Sequence, residues 1–89
     1  MKPVIFHRDF DKHYKKRIKP NVKLVEQFEQ RYRLFLKGER GSPLDDHPLN
    51  RKLTGRRAFS VAGDIRVVYI ETYKEIILLD IGSHNQVYR

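Results

Sequence analysis

Four histidines and a group of arginines carry the chemistry available to this sequence. Histidine is the side chain whose ordinary pKa lies near neutrality, so His7, His13, His47 and His84 are each candidates to take or give a proton. His47 sits in Asp45-Asp46-His47-Pro48-Leu49, where Pro48 stiffens the adjoining backbone, and His84 sits in Gly82-Ser83-His84-Asn85, after an apolar run. His7 falls at a strand–helix junction and His13 among lysines, positions that read as ordinary surface. Arg56, Arg57 and Arg66 are expected on adjacent antiparallel strands, near one edge of a sheet. Arg66 interrupts the apolar Ile65-Arg66-Val67-Val68-Tyr69. It is either part of a solvated strand face or a guanidinium held rigidly to grip a phosphate bidentately. Tyr88 could stack on a base, carry a proton, or only pack the terminus. Asp64 is most simply a turn residue that could also orient a histidine. Cleavage of RNA at a 2′-hydroxyl needs a base, an acid for the leaving 5′-oxygen, and cations for the crowded phosphorus, and it needs no metal.

Composition narrows the partners. Nineteen Lys and Arg against eleven Asp and Glu give a formal net charge of +8 in 89 residues. That imbalance costs a compact chain self-repulsion and is usually kept for a polyanion, with nucleic acid favoured over an anionic membrane or an acidic protein. The absence of cysteine excludes disulfides and thiolate metal sites. Asp45, Asp46 and His47 are too close in sequence to converge on one ion, no HxxxH or HExxH spacing occurs, and no glycine loop cradles a phosphate. No metal or cofactor is expected. No apolar run reaches the length of a membrane span and no signal peptide is evident, so the expected location is the cytoplasm.

These side chains must be held by few elements. Eighty-nine residues suit one domain, 1–89. Pro3 to Phe6 reads as a strand. From Arg8, Phe10, Tyr14 and Ile18 recur at helical spacing, with Lys12, Lys15, Lys16 and Arg17 on the other faces. Pro20 breaks the pattern and Asn21 is placed to cap a second helix carrying Val25, Phe28, Tyr32, Phe35 and Leu36 on one side. Gly38 is a natural stop. Periodicity vanishes from Glu39 to Gly55, which reads as a functional loop. Three strands follow, over 57–62, 65–71 and 75–81, with Ala62-Gly63-Asp64 and Thr72 to Lys74 as turns. The last is apolar enough to occupy a central position covered on both faces. The expected fold is α+β in the order β-α-α-β-β-β, an antiparallel helix pair on one face of a small, mainly antiparallel sheet.

Four segments point further: His47-Pro48-Leu49; Lys52-Leu53-Thr54-Gly55-Arg56-Arg57; Gly63-Asp64-Ile65-Arg66-Val67-Val68-Tyr69; and Leu79-Asp80-Ile81-Gly82-Ser83-His84. Together they resemble the RelE/ParE toxin superfamily, and within it the YafQ-like branch, over essentially the whole chain. The resemblance implies the RelE-like microbial RNase fold and the toxin of a type II toxin–antitoxin pair. The implied activity is an mRNA interferase, cutting mRNA in the ribosomal A site by 2′-hydroxyl attack to leave a 2′,3′-cyclic phosphate. By position it implies catalytic roles for His47, Asp64, Arg66, His84 and Tyr88, and substrate binding by Arg51, Lys52, Arg56 and Arg57. The implied partners are a cognate antitoxin, mRNA and the ribosome with its 16S rRNA. Ser60 stands where that branch often has a third histidine, and Ile65 where it can have tryptophan. The competing readings are a ParE-like protein that inhibits DNA gyrase by binding, for which the histidines have no use, and a catalytically weakened homologue that binds RNA or antitoxin.

Overall fold

A computed structural model of the chain describes residues 2–88. Its elements are β1 (Val4–Phe6), α1 (Arg8–Arg17), α2 (Val22–Leu36), β2 (His47–Pro48), β3 (Arg57–Ala62), β4 (Ile65–Glu71), β5 (Ile76–Ser83) and α3 (His84–Val87). A short 3₁₀ turn spans Arg51–Leu53. The α+β class, the helix pair and the three-strand meander agree with the sequence reading.

Each helix begins where its capping chemistry dictates. The His7 ring accepts from Asp9 N at 3.0 Å and caps α1, whose first turn carries Asp9 and Asp11 and whose last carries Lys15, Lys16 and Arg17. Both charge sets complement the helix dipole. Asn21 Oδ1 accepts from Leu24 N at 3.2 Å and caps α2. Gly38 follows the end of α2 at φ +89, a conformation that favours glycine.

The five strands form one sheet in the order β1-β5-β4-β3-β2. Only β1 runs parallel to its neighbour, with Val4 opposite Ile76, while every other pairing is antiparallel. The sheet centre is therefore β4, and β5 is interior but second from the edge. Phe10, Phe28 and Phe35 of the helices pack with Phe59, Val61, Val67, Tyr69, Leu78 and Ile81, filling one face. Burial at this scale stabilises by about 25 cal/mol per Å² of apolar surface.

Strand alternation turns Ala58, Ser60, Arg66 and Val68 to the opposite face. A register shift between Val68 and Tyr69 sets Leu79 as the extra residue of a bulge on β5. Leu79 joins Ala58, Val68, Leu49, Val87 and Tyr88 in a second, smaller cluster. That cluster is the floor on which the candidate site is built. The expected loop over 39–55 thus contains β2 and a 3₁₀ turn. The last strand runs to Ser83 rather than ending at 81, and a final helical turn follows that periodicity did not reveal. Elements of two to four residues are too short to leave a repeat in the sequence.

Candidate active site

Arg66 is the centre of the polar side of this second face. It lies opposite Ser60 on β3 and Gly82 on β5. Its Nη1 donates to Ser60 Oγ at 3.2 Å and to the Gly63 carbonyl at 3.0 Å. Gly63, at φ +51, is the turn residue that aims that carbonyl back at the guanidinium. Ser60 therefore serves as an acceptor that orients Arg66.

The last turn folds back over this floor. Ser83 and Gln86 close a reciprocal capping box at the start of α3, with Gln86 Oε1 accepting from Ser83 N at 2.8 Å. The Val87 side chain is buried against Ala58 and Val68, which holds the turn down. His84 is exposed, and its ring meets Tyr88 edge-on, with centroids 4.4 Å apart. The Tyr88 hydroxyl is buried without a well-oriented hydrogen-bond partner. Burial raises its pKa, partly opposed by the nearby Arg66 charge, so the phenol stays protonated at neutral pH. Tyr88 also borders a cleft of about 490 Å³ formed with Leu49, Asn50, Arg51, Lys52 and Leu53.

His47 comes from the other side. In β2 it pairs with Ala58, and directly opposed residues share a face, so it stands at the outer rim of the same floor. Ala58 is two residues from Ser60, so His47 is displaced from the Arg66 row by about 7 Å along the strand. Its Nδ1 lies 2.9 Å from the Asp45 carbonyl. A carbonyl only accepts, so Nδ1 carries the proton and Nε2 of the neutral ring is the acceptor. Asp45 and Arg51, both non-glycine residues at positive φ (48 and 58), bracket this segment. Asp64 is exposed in the β3–β4 turn, beside the Ile65–Ser83 pair and thus at the sheet end where His84 begins.

The structure separates two arginines that the sequence reading put together. Arg56 is exposed and lines a polar pocket with His7, Asp9, Val68, Leu79, Asp80 and Val87, on the site side of the sheet. Arg57 shares the parity of Phe59 and Val61 and so turns to the helix side. There its Nε and Nη2 grip Asp46 Oδ1 at 2.7 and 2.6 Å. The Asp46 side chain is fully buried (0% exposed), its Oδ2 accepts the Tyr69 hydroxyl, and Arg40 Nε lies 3.9 Å away. Arg40 itself stacks over Phe35, 4.1 Å from the ring centre. Burial chiefly, and then Asp46, push the Tyr69 pKa far above its ordinary value, while the Arg57 pKa is raised by its bond to Asp46. Arg57 is thus an anchor for the loop that carries His47, and the geometry favours that role over the expected substrate contact.

Residues 2–89 match the family described as the bacterial toxin of type II toxin–antitoxin system, YafQ. The chain belongs to the YafQ family. No curated protein matches it by sequence. Its fold is similar to the crystal structure of YafQ from E. coli strain BL21(DE3), at TM-score 0.84 and 20% identity over 100% of both chains. It is similar also to the E. coli DinJ-YafQ complex, at TM-score 0.82 and 21% identity over 100% of both chains. A metal-bound toxin from Helicobacter pylori aligns at TM-score 0.76 and 25% identity, covering 98% of this chain and 99% of that one. At 20–21% identity the E. coli likeness carries the fold alone.

For this YafQ-family chain, Arg66, Ser60, His84 and Tyr88 are gathered on one floor, with His47, Asp64, Arg51, Lys52 and Arg56 around its rim. Among the described residues no group of three or more His, Asp or Glu side chains is placed to hold a metal ion, and no helix is long and apolar enough to cross a membrane. Sequence reasoning missed Asp46, masked by its more reactive neighbour His47. It also missed His13, whose Nδ1 lies 2.6 Å from Asp80 Oδ1. The strand parity of Arg57 with Phe59 was a signal that could have assigned its face.

Proposed function

We propose that this chain is a toxin whose activity is that of a metal-independent endoribonuclease, cleaving mRNA in the ribosomal A site. The observation that carries the reading is the pairing, on one sheet face, of an oriented arginine with an exposed histidine and a neutral buried phenol. In the proposed reaction the ribose 2′-oxygen attacks the adjacent phosphorus as its proton passes to a base. The P–O5′ bond breaks, the 5′-oxygen takes a proton from an acid, and a 2′,3′-cyclic phosphate remains. His47, with Nε2 as acceptor, suits the base, and His84 suits the acid. Arg66 stabilises the charge that grows on the non-bridging oxygens. Tyr88 is a neutral donor or a stacking surface for a base, and Asp64 orients His84 from the turn. Arg51, Lys52 and Arg56 steer the strand by charge.

The E. coli relative is described in complex with DinJ. By extension, this chain's partner is an antitoxin whose acidic, amphipathic segment folds as it covers the basic face. The cellular setting that fits is the cytoplasm, where mRNA and ribosomes are found.

Brief induction followed by primer extension on cellular mRNA, alongside purified RNA with and without ribosomes, tests activity and ribosome dependence together. Cleavage by the parent and none by His84→Ala, at an unchanged melting temperature, is the expected result. Undiminished cleavage by His84→Ala removes that residue from the mechanism. Growth arrest without any RNA cleavage removes the ribonuclease reading.

A further inference from the structure

Gly82 lies outside the left-handed backbone region, so what excludes a side chain there is space. A Cβ would stand 2.7 Å from Arg17 Nη1, 3.2 Å from Arg17 Cδ and 2.6 Å from Gln86 Oε1. Gly82 is paired with Arg66 across β4 and β5, and directly opposed residues point to the same face. Arg17 therefore reaches from α1 over the β5 strand and lays its guanidinium on the face that carries Arg66. Opposed Cβ positions are about 5 Å apart, which puts Arg17 Nη1 no more than about 8 Å from the Arg66 Cβ.

The local charges do not fully account for this arginine. Arg17 Nη1 donates to the Ile81 carbonyl at 3.0 Å, a neutral acceptor, and makes a longer, 3.4 Å hydrogen bond and ion pair with Asp80 Oδ1. That same oxygen has closer partners, the His13 ring at 2.6 Å and Ile81 N at 2.8 Å. Both Arg17 contacts run from Nη1, one corner of a planar fork with five donors. A cation 21% exposed, with a long, shared counter-charge and a glycine clearing its path, is seated to receive an anion.

We propose that Arg17 is a second phosphate-binding residue of the RNA site, holding the phosphate next to the one gripped by Arg66, with Gly82 as the gap that admits it. This rests on the ribonuclease reading above, because it places Arg17 on the same bound strand. The test uses a single-stranded 2′-deoxy oligonucleotide, which presents phosphates and cannot be cleaved, with affinity measured across salt concentrations. Each phosphate contact on a single strand contributes about 0.7 to the slope of log affinity against log salt. Arg17→Gln is expected to weaken binding roughly tenfold, the scale of one charge-assisted hydrogen bond. Its slope should also become shallower by about 0.7. Arg17→Lys, which keeps the charge, should retain the slope, and Gly82→Ala, which blocks the seat, should weaken binding by a factor similar to Arg17→Gln. Thermal melting of each variant checks folding. Should Gly82→Ala fail to fold, the glutamine variant decides alone. An Arg17→Gln protein with the parental slope overturns the proposal. Cleavage is assayed separately on the ribose version: a parent that binds but does not cleave sinks the ribonuclease reading, and the slope still decides for Arg17.

Discussion

Removing Arg57 should damage the fold rather than the grip on substrate. Arg57 holds Asp46 Oδ1 through two short bonds, and the Asp46 side chain is wholly buried, so Arg57→Ala strands a carboxylate that keeps only the Tyr69 hydroxyl and the more distant Arg40. Breaking a fully buried pair costs about 3–5 kcal/mol. Arg57 is itself 38% exposed, so water can enter the space it leaves and solvate Oδ1. The expected cost falls to about 2–3 kcal/mol. In a domain of this size each kcal/mol moves the melting temperature by about 4–8 °C, so a loss of roughly 10–20 °C is expected. Asp46→Asn keeps the shape and leaves Arg57 free to turn to solvent, so it should cost less, about 1–2 kcal/mol. Urea unfolding should show a lower midpoint at unchanged slope, which assigns the effect to stability. The salt slope for oligonucleotide binding should match the parent. A melting temperature within a degree or two of the parent would refute the anchoring role, and a shallower salt slope would return Arg57 to the substrate.

Other perturbations separate orientation, protonation and capping. Ser60→Ala deprives Arg66 of one acceptor while leaving the Gly63 carbonyl, so single-turnover cleavage should slow roughly 3- to 10-fold, about one hydrogen bond's worth; an unchanged rate would deny Ser60 a positioning role. The folded-state pKa of Tyr69 is raised by burial and Asp46. Its contribution is complete below the unfolded value of 10.0 and is lost as pH climbs above that towards the folded value. Melting curves from pH 8 to 11 should therefore fall less steeply for Tyr69→Phe than for the parent, and parallel curves would count against this assignment. Asn21→Ala removes the α2 cap and should cost about 1 kcal/mol in denaturant unfolding, with no loss contradicting the capping geometry.

What could be read from residue order was whatever left a period or a break. The Phe10, Tyr14, Ile18 stripe, the Pro20-Asn21 boundary and the alternation around Phe59 each record a face buried along many residues, and these elements emerge where expected. β2 exists because two residues bond to β3, and α3 because Val87 finds a seat on Ala58 and Val68. Both depend on partners far away in sequence. The site divides the same way. Arg66 was visible as a charge breaking an apolar strand, whereas Arg17 lies in a run of lysines and differs from them only through Gly82, a residue on another element. Arg57 shows the same limit, because its grip on Asp46 depends on a loop residue and on strand parity, which turns neighbouring residues to opposite sides.

The parallel pairing of β1 with β5 has a consequence for synthesis. Val4 finds Ile76 only after nearly the whole described chain has been made, and Arg66 acquires Tyr88 later still. Non-local closure of this kind is slow and comes late. Until the segment up to Tyr88 has emerged from the ribosome, the chain outside can hold α1 and α2 but no assembled site. On the proposed reading, a ribosome that has not yet extruded this segment is spared by the product it is making, and the hazard begins once Tyr88 is outside, when a waiting antitoxin can meet it.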